Sequence, residues 1–120
     1  MYTKDDIDKL AAEFEQCRKI LVALGDENRQ HMILEMMKIG DCNGVRVNEI
    51  TKRTHLSRPA VSHHLQILKD AGILRMRREA TKNYYYFDPD MEGFELLIGV
   101  LQKAIDMTSS LPDRSQILLT

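Results

Sequence analysis

The chain has no apolar run approaching the roughly 18 residues that a membrane-crossing helix needs, and no basic-then-apolar leader. Neither membrane insertion nor secretion is expected. Its two cysteines, Cys17 and Cys42, lack the close spacing of a disulfide framework or a cysteine zinc site. The expectation is a reduced, cytoplasmic protein. Also missing are a phosphate-cradling glycine loop, a G-x-S-x-G elbow and an H-E-x-x-H pair. Ser62 beside His63 has the composition of a nucleophile and base, but adjacent helical residues point about 100° apart and do not face each other. Acidic side chains lie mostly at helix starts, where capping explains them. No catalytic residue is assigned, and no enzyme is expected. Before Thr108 there is no low-complexity stretch, internal repeat or linker.

What is present fits one small globular domain: 120 residues, 43% hydrophobic and 29% charged. Its core would be modest, so an oligomer is in view. The net charge of −1 conceals a strong division along the sequence. Residues 1–44 sum to −3, residues 45–82 to +6 with the histidines left neutral, and residues 83–120 to −4. A phosphate backbone attracts such a basic middle third whatever the base sequence. The plainer alternative is a merely solvated basic face.

Within that third, VNEITKRTHLSRPAVSHHLQILKDA (Val47 to Ala71) reads as two short helices around a tight turn. Stepping about 100° per residue from Arg58 puts Val61, Leu65 and Leu68 on one side. Pro59, Ser62, His63 and Gln66 fall on the other, as short or planar groups sized for base edges in a major groove. Ser57 is the expected N-cap, with Pro59 tolerated in the first turn. His64 lies near the apolar side and is expected to pack.

Around this pair, a first helix is expected over 4–24, capped by Thr3, with stripe Ile7, Leu10, Phe14, Cys17, Leu21 and Leu24. A second runs from the Asp26 cap to Gly40, carrying Met32, Ile33, Met36, Met37 and Ile39. ILRMRRE and YYYF, around Ala80–Asn83, predict a β-hairpin with basic residues near its tip. A last helix over 89–107 is expected to be capped by Asp88 and opened by Pro89, with stripe Phe94, Leu97, Ile98, Leu101 and Ile105. Residues 109–120 are expected to form a poorly ordered tail. The fold class is mainly α with a small β wing, in the order α-α-α-α-β-β-α: a winged helix-turn-helix in a single domain, 1–108.

The run LGDENRQHMILEMM, then VNEITKRTHLSRPAVSHHLQILKDAGILRMRRE and YYYF, resembles the arsenical-resistance repressor (ArsR) family of bacterial transcription factors. The match covers roughly Leu21 to Asp88, and Ser57 to Leu65 is its most specific part. The resemblance implies a homodimer joined through the first and last helices, two recognition helices in successive major grooves of an inverted-repeat double-stranded DNA operator, and a repressor released by an inducer. It also implies that Arg58, Ser62, His63 and Gln66 face bases, with Pro59 beside them among the DNA-binding residues. Arg58 suits a bidentate bond to guanine and Gln66 one to adenine, with a phosphate contact as the plainer role for Arg58. Arg77, Arg78 and Lys82 on the wing are expected to meet phosphates or the minor groove. Tyr84, Tyr85 and Tyr86 read as strand and core residues. Two positions depart from the family pattern: His55 and Ala80 stand where glycine is usual. Histidine tolerates positive φ better than most residues.

Neither metal site common in the family is expected. The Cys-x-Cys positions are occupied by Arg46 and Asn48, and no histidine follows His64. Glu92, Glu95 and Asp106 offer at best a weak oxygen site, or solvated surface. No cofactor is called for, and the inducer, a small molecule or a redox signal, is left open. A thiol switch using Cys17 and Cys42 is the alternative, against core packing for Cys17 and a loop without cationic neighbours for Cys42. A further alternative is a ligand-binding or protein-interaction module that no longer reads DNA.

Overall fold

A computed structural model describes residues 2–112. Six helices and one hairpin follow in the order α1 (Lys4–Gln16), α2 (Arg18–Leu24), α3 (Glu27–Ile39), α4 (Val47–Thr54), α5 (Arg58–Asp70), β1 (Leu74–Glu79), β2 (Lys82–Phe87) and α6 (Met91–Ser109). This is a winged helix-turn-helix, mainly helical.

Local chemistry accounts for most boundaries. The Thr3 hydroxyl accepts from Asp6 N while the Asp6 carboxylate accepts from Thr3 N at 2.8 Å, a reciprocal cap. Asp26 caps α3 by accepting from Arg29 N, and Gly40 ends it at φ 64°. Ser57 caps α5, with Pro59 in its first turn, where backbone donors lack helical partners anyway.

Two expected boundaries need correction. The helix expected over 4–24 is interrupted at Cys17, whose N–H is shared between the carbonyls of Glu13 and Phe14. The tightening comes where the chain leaves α6, against which α1 packs, and turns onto α3 and α5. The last helix begins at Met91, with Asp90 at its N-cap, because Asp88 pairs with Arg75 at 3.0 Å and Asp90 N donates to Gly72 O at 2.8 Å. These ties to the β1 end hold Asp88–Asp90 extended. α6 then continues through Ser109, so Thr108 and Ser109 extend it past the expected end at 107, and Ser109, the first residue of the expected tail, is helical. Residues 113–120 of that tail lie outside the described residues.

Two apolar clusters hold the elements together. The larger one seats α3, α4, α5 and the wing on Met32, Met36, Ile50, Val61, Leu65 and Leu74, with Val45 and Ile73 beside them. The smaller one, Cys17, Ile20, Leu97 and Val100, joins the first two helices to α6. A Glu13–Lys103 ion pair of 2.7 Å lies alongside it. The hairpin is antiparallel, from Leu74 opposite Phe87 to Glu79 opposite Lys82. Val45 adds a single bridge to Tyr85, which ties the loop before α4 to the wing. Gly44, at φ 105°, makes that approach possible: a Cβ there would stand 3.0 Å from Tyr84 Cβ.

Candidate nucleic-acid interface

The α4–α5 pair is built from both ends. Ile50 is fully buried, and the buried Thr54 hydroxyl donates to Ile50 O at 2.8 Å. His55 turns the chain at φ 59°, a left-handed conformation that costs a residue with a Cβ about 1–2 kcal/mol. The turn aims α5 so that Val61, Leu65 and Leu68 are fully buried. Arg58, Pro59, Ser62, His63 and Gln66 are all exposed. The five DNA-binding candidates of α5 thus share one open face. Gln66 Nε2 donates to Asp70 Oδ1 at 2.8 Å, one turn along the helix, and must exchange that partner to reach a base.

The wing cations divide into two groups. Arg78 and Lys82 are exposed beside the two-residue turn, and neither forms an ion pair among the described residues. Ala80 has φ 56° and is the only turn residue with positive φ, the pattern of a type II′ hairpin. Arg77 is engaged internally. Its guanidinium pairs with Glu79 at 2.6 Å, donates to Asn43 O at 2.6 Å and lies 4.8 Å from the centre of the Tyr84 ring. It clips the wing to the 41–44 loop. Arg75 is likewise paired, with Asp88. Tyr84, Tyr85 and Tyr86 are half-buried strand residues.

One residue beneath this surface escaped the sequence reading. Arg29, only 7% exposed, donates to Ala23 O at 2.8 Å and Val22 O at 2.9 Å, and its third nitrogen meets His64 Nδ1 at 3.2 Å. Asp26 lies 3.9 Å away. The signal was present, because Arg29, Met32 and Met36 form the inward stripe of α3 with an arginine at its head. His64 is half-buried, as its position near the apolar side predicts. Burial disfavours its charged form and, with Arg29 and His63 nearby, outweighs the pull of Asp26, so its pKa lies below the ordinary 6.5.

The cysteines belong to different regions. Cys17 is buried against α6, and burial together with Glu13 raises its thiol pKa above the ordinary value. Cys42 is exposed beside a cavity lined by Met36, Met37, Val45 and Tyr85 to Phe87. Among the described residues, no group of three or more His, Cys, Asp or Glu side chains is arranged to hold a metal ion.

Residues 26–75 match the profile of the family described as "Bacterial regulatory protein, arsR family". Over 78 residues the chain is 37% identical to the uncharacterized HTH-type transcriptional regulator MJ1325 of Methanocaldococcus jannaschii, an alignment covering 65% of this chain and 84% of that one. It is 33% identical over 66 residues to the transcriptional repressor SdpR of Bacillus subtilis, covering 55% and 69%. In three dimensions it resembles the solution NMR structure of the homodimeric winged helix-turn-helix DNA-binding domain of Mb0332 from Mycobacterium bovis. That comparison has a TM-score of 0.58 and 20% identity, and covers 89% of this chain and 95% of that one.

Proposed function

Since the chain belongs to the ArsR family of bacterial regulatory proteins, we propose that it is a homodimeric repressor that binds a specific inverted-repeat operator and leaves it when an inducer binds. The observation that carries this reading is the open face of α5. Five polar or small side chains stand together on a helix whose other side is locked into the core, within the +6 third of the chain. Arg58 reads guanine through two parallel hydrogen bonds, and Gln66 reads adenine once it leaves Asp70. Ser62, His63 and Pro59 complete the contact surface. Arg78 and Lys82 meet phosphates and supply affinity rather than sequence preference, while Arg77 holds the wing in position.

Dimerisation draws support from α1 and α6. Their shared stripes bury Leu97, Val100 and Met107 yet leave Ile98 66% exposed and Ile105 58% exposed, with Ile7, Phe14 and Leu101 also open. A contiguous apolar face of this kind marks an interface. Two copies joined there would set paired recognition helices at about one helical turn of duplex, roughly 34 Å. SdpR is named a repressor and the Mb0332 domain a homodimer, which agrees with both parts of the reading. Reading chromosomal DNA places the chain in the cytoplasm, and among the described residues no helix is long and apolar enough to cross a membrane. Burial of Cys17 favours packing over a Cys17–Cys42 switch.

Selection of bound duplexes from a random pool tests the proposal, repeated with metals, oxidants and metabolites as inducers. An inverted repeat, lost from the selected set with one inducer class, is the expected result. A pool that stays random after selection would leave the interaction-module alternative standing.

A further inference from the structure

The apolar contacts beneath α5 resist separation but have no direction. Val61, Leu65 and Leu68 pack against Met32 and Ile50 and hold α5 on the core without any hydrogen bond between them. Rolling matters at the far side. On a helix of about 5–6 Å outer radius, a rotation of about 20° moves a side-chain tip by about 2 Å, more than a bidentate hydrogen bond tolerates. A directional bond would tighten what packing alone fixes of the rotation of α5 about its axis.

We infer that Arg29 is a positioning residue for DNA reading: anchored on the carbonyls that end α2, it holds His64 and thereby sets the rotation of the recognition helix. The inference rests on the operator-binding reading above. Three nitrogens of the guanidinium are committed, two to Ala23 O and Val22 O and one to His64 Nδ1. Arginine only donates, so Nδ1 must accept and the ring proton must sit on Nε2. His64 lies one residue from the outward-facing His63, so the clamp acts close to the reading surface.

The chemistry of this bond makes it pH-dependent. A protonated imidazole carries N–H on both nitrogens, so Nδ1 would donate toward a cation, and the clamp would open. The charged or titratable groups acting on His64 are Asp26 and Arg29 from α3 and its cap, and His63 from α5 itself. Asp26 favours the protonated ring, while the other two and burial oppose it. Attraction to phosphates acts on both duplexes alike, so the ratio of operator to random-duplex affinity reports the clamp.

The test measures that ratio at about pH 7.5 and about pH 5.5, on either side of the ordinary histidine range, for the intact protein, Arg29→Lys and His64→Asn. The asparagine oxygen supplies an acceptor near Nδ1 and cannot titrate. Histidine ring-nitrogen NMR on the same proteins reads the tautomer, and circular dichroism confirms folding. For the intact protein the ratio should fall at the lower pH as His64 takes up a proton, by at most about tenfold, the scale of one lost hydrogen bond. Arg29→Lys should show a ratio about tenfold below that of the intact protein at about pH 7.5 and the same low ratio at both pH values, with random-duplex binding unchanged. His64→Asn should keep its ratio and show a flat profile. A ring proton on Nδ1, or an Arg29→Lys protein with the intact ratio, would overturn the inference and leave operator binding untouched. An intact protein that prefers no duplex at pH 7.5 would remove the operator-binding reading and this inference together, whatever the tautomer.

Discussion

Arg77→Ala and Lys82→Ala remove wing cations five residues apart, and the structure assigns them different consequences. Arg77 makes a 2.6 Å pair with Glu79, a 2.6 Å bond to Asn43 O and a 4.8 Å approach to Tyr84. The ion pair is largely exposed and contributes about 0–1 kcal/mol. The charged bond to the carbonyl adds about 1 kcal/mol once solvent competition is allowed for, and the aromatic contact about 0.5 kcal/mol. The sum is about 2 kcal/mol, a melting-temperature drop of about 5–10 °C for a domain of this size. Lys82 is exposed at the tip, so its removal should leave the melting temperature within about 2 °C. On DNA the order reverses. Lys82→Ala should reduce the slope of log affinity against log salt by about 1 per wing, hence about 2 for a dimer. Arg77→Ala should leave the slope unchanged. Fluorescence anisotropy of a labelled operator duplex from about 50 to 200 mM salt resolves a change of this size. If Arg77→Ala lowered the slope as much as Lys82→Ala while melting normally, the clip to the 41–44 loop would be wrong and Arg77 would belong to the phosphate contacts.

Arg58→Ala should cost on the order of 1–3 kcal/mol of operator affinity and relax preference at one base pair; uniform weakening across sequences would make Arg58 a phosphate contact. His55→Gly relieves a φ of 59°. After the extra backbone entropy of glycine, it should stabilise the fold by about 0.5–1 kcal/mol in urea unfolding. Ile98→Lys, on the open face of α6, should yield a folded monomer in sedimentation analysis with operator affinity reduced at least about tenfold. Stability should fall with acid in two stages. His64 and Asp26 both have folded-state pKa values below their ordinary 6.5 and 3.8, so each binds fewer protons folded than unfolded. Each contribution is complete above its ordinary value and lost as pH falls through the folded one. The melting temperature should therefore decline first below about pH 6.5 and again below about pH 4. A His64→Asn protein that kept the first decline would assign it elsewhere.

Most of the framework was legible because local chemistry decides it. Thr3, Asp26 and Ser57 cap where their side chains reach free backbone donors, and the alternation of Val61, Leu65 and Leu68 against Ser62, His63 and Gln66 fixes both faces of α5. The two positions lacking the usual glycine turned out to be the two non-glycine residues at positive φ among the described residues, His55 and Ala80. Other features depend on partners distant in sequence. The Cys17 interruption leaves the three-and-four spacing of the stripe intact, so periodicity cannot reveal it. Asp88 looked like a helix cap because its competing partner, Arg75, lies across the hairpin. Arg77 looked free because Asn43 is 34 residues away, and Arg29 meets His64 across 35. Charge and propensity are readable along a chain, whereas a cation's engagement depends on which carbonyls the fold brings beside it.

The most direct test is the affinity of the intact protein for its selected inverted repeat relative to a random duplex of equal length, at about 150 mM salt. A ratio of at least about 10³ is predicted from base readout by two outward α5 helices. Equal affinities for the two duplexes would contradict the account.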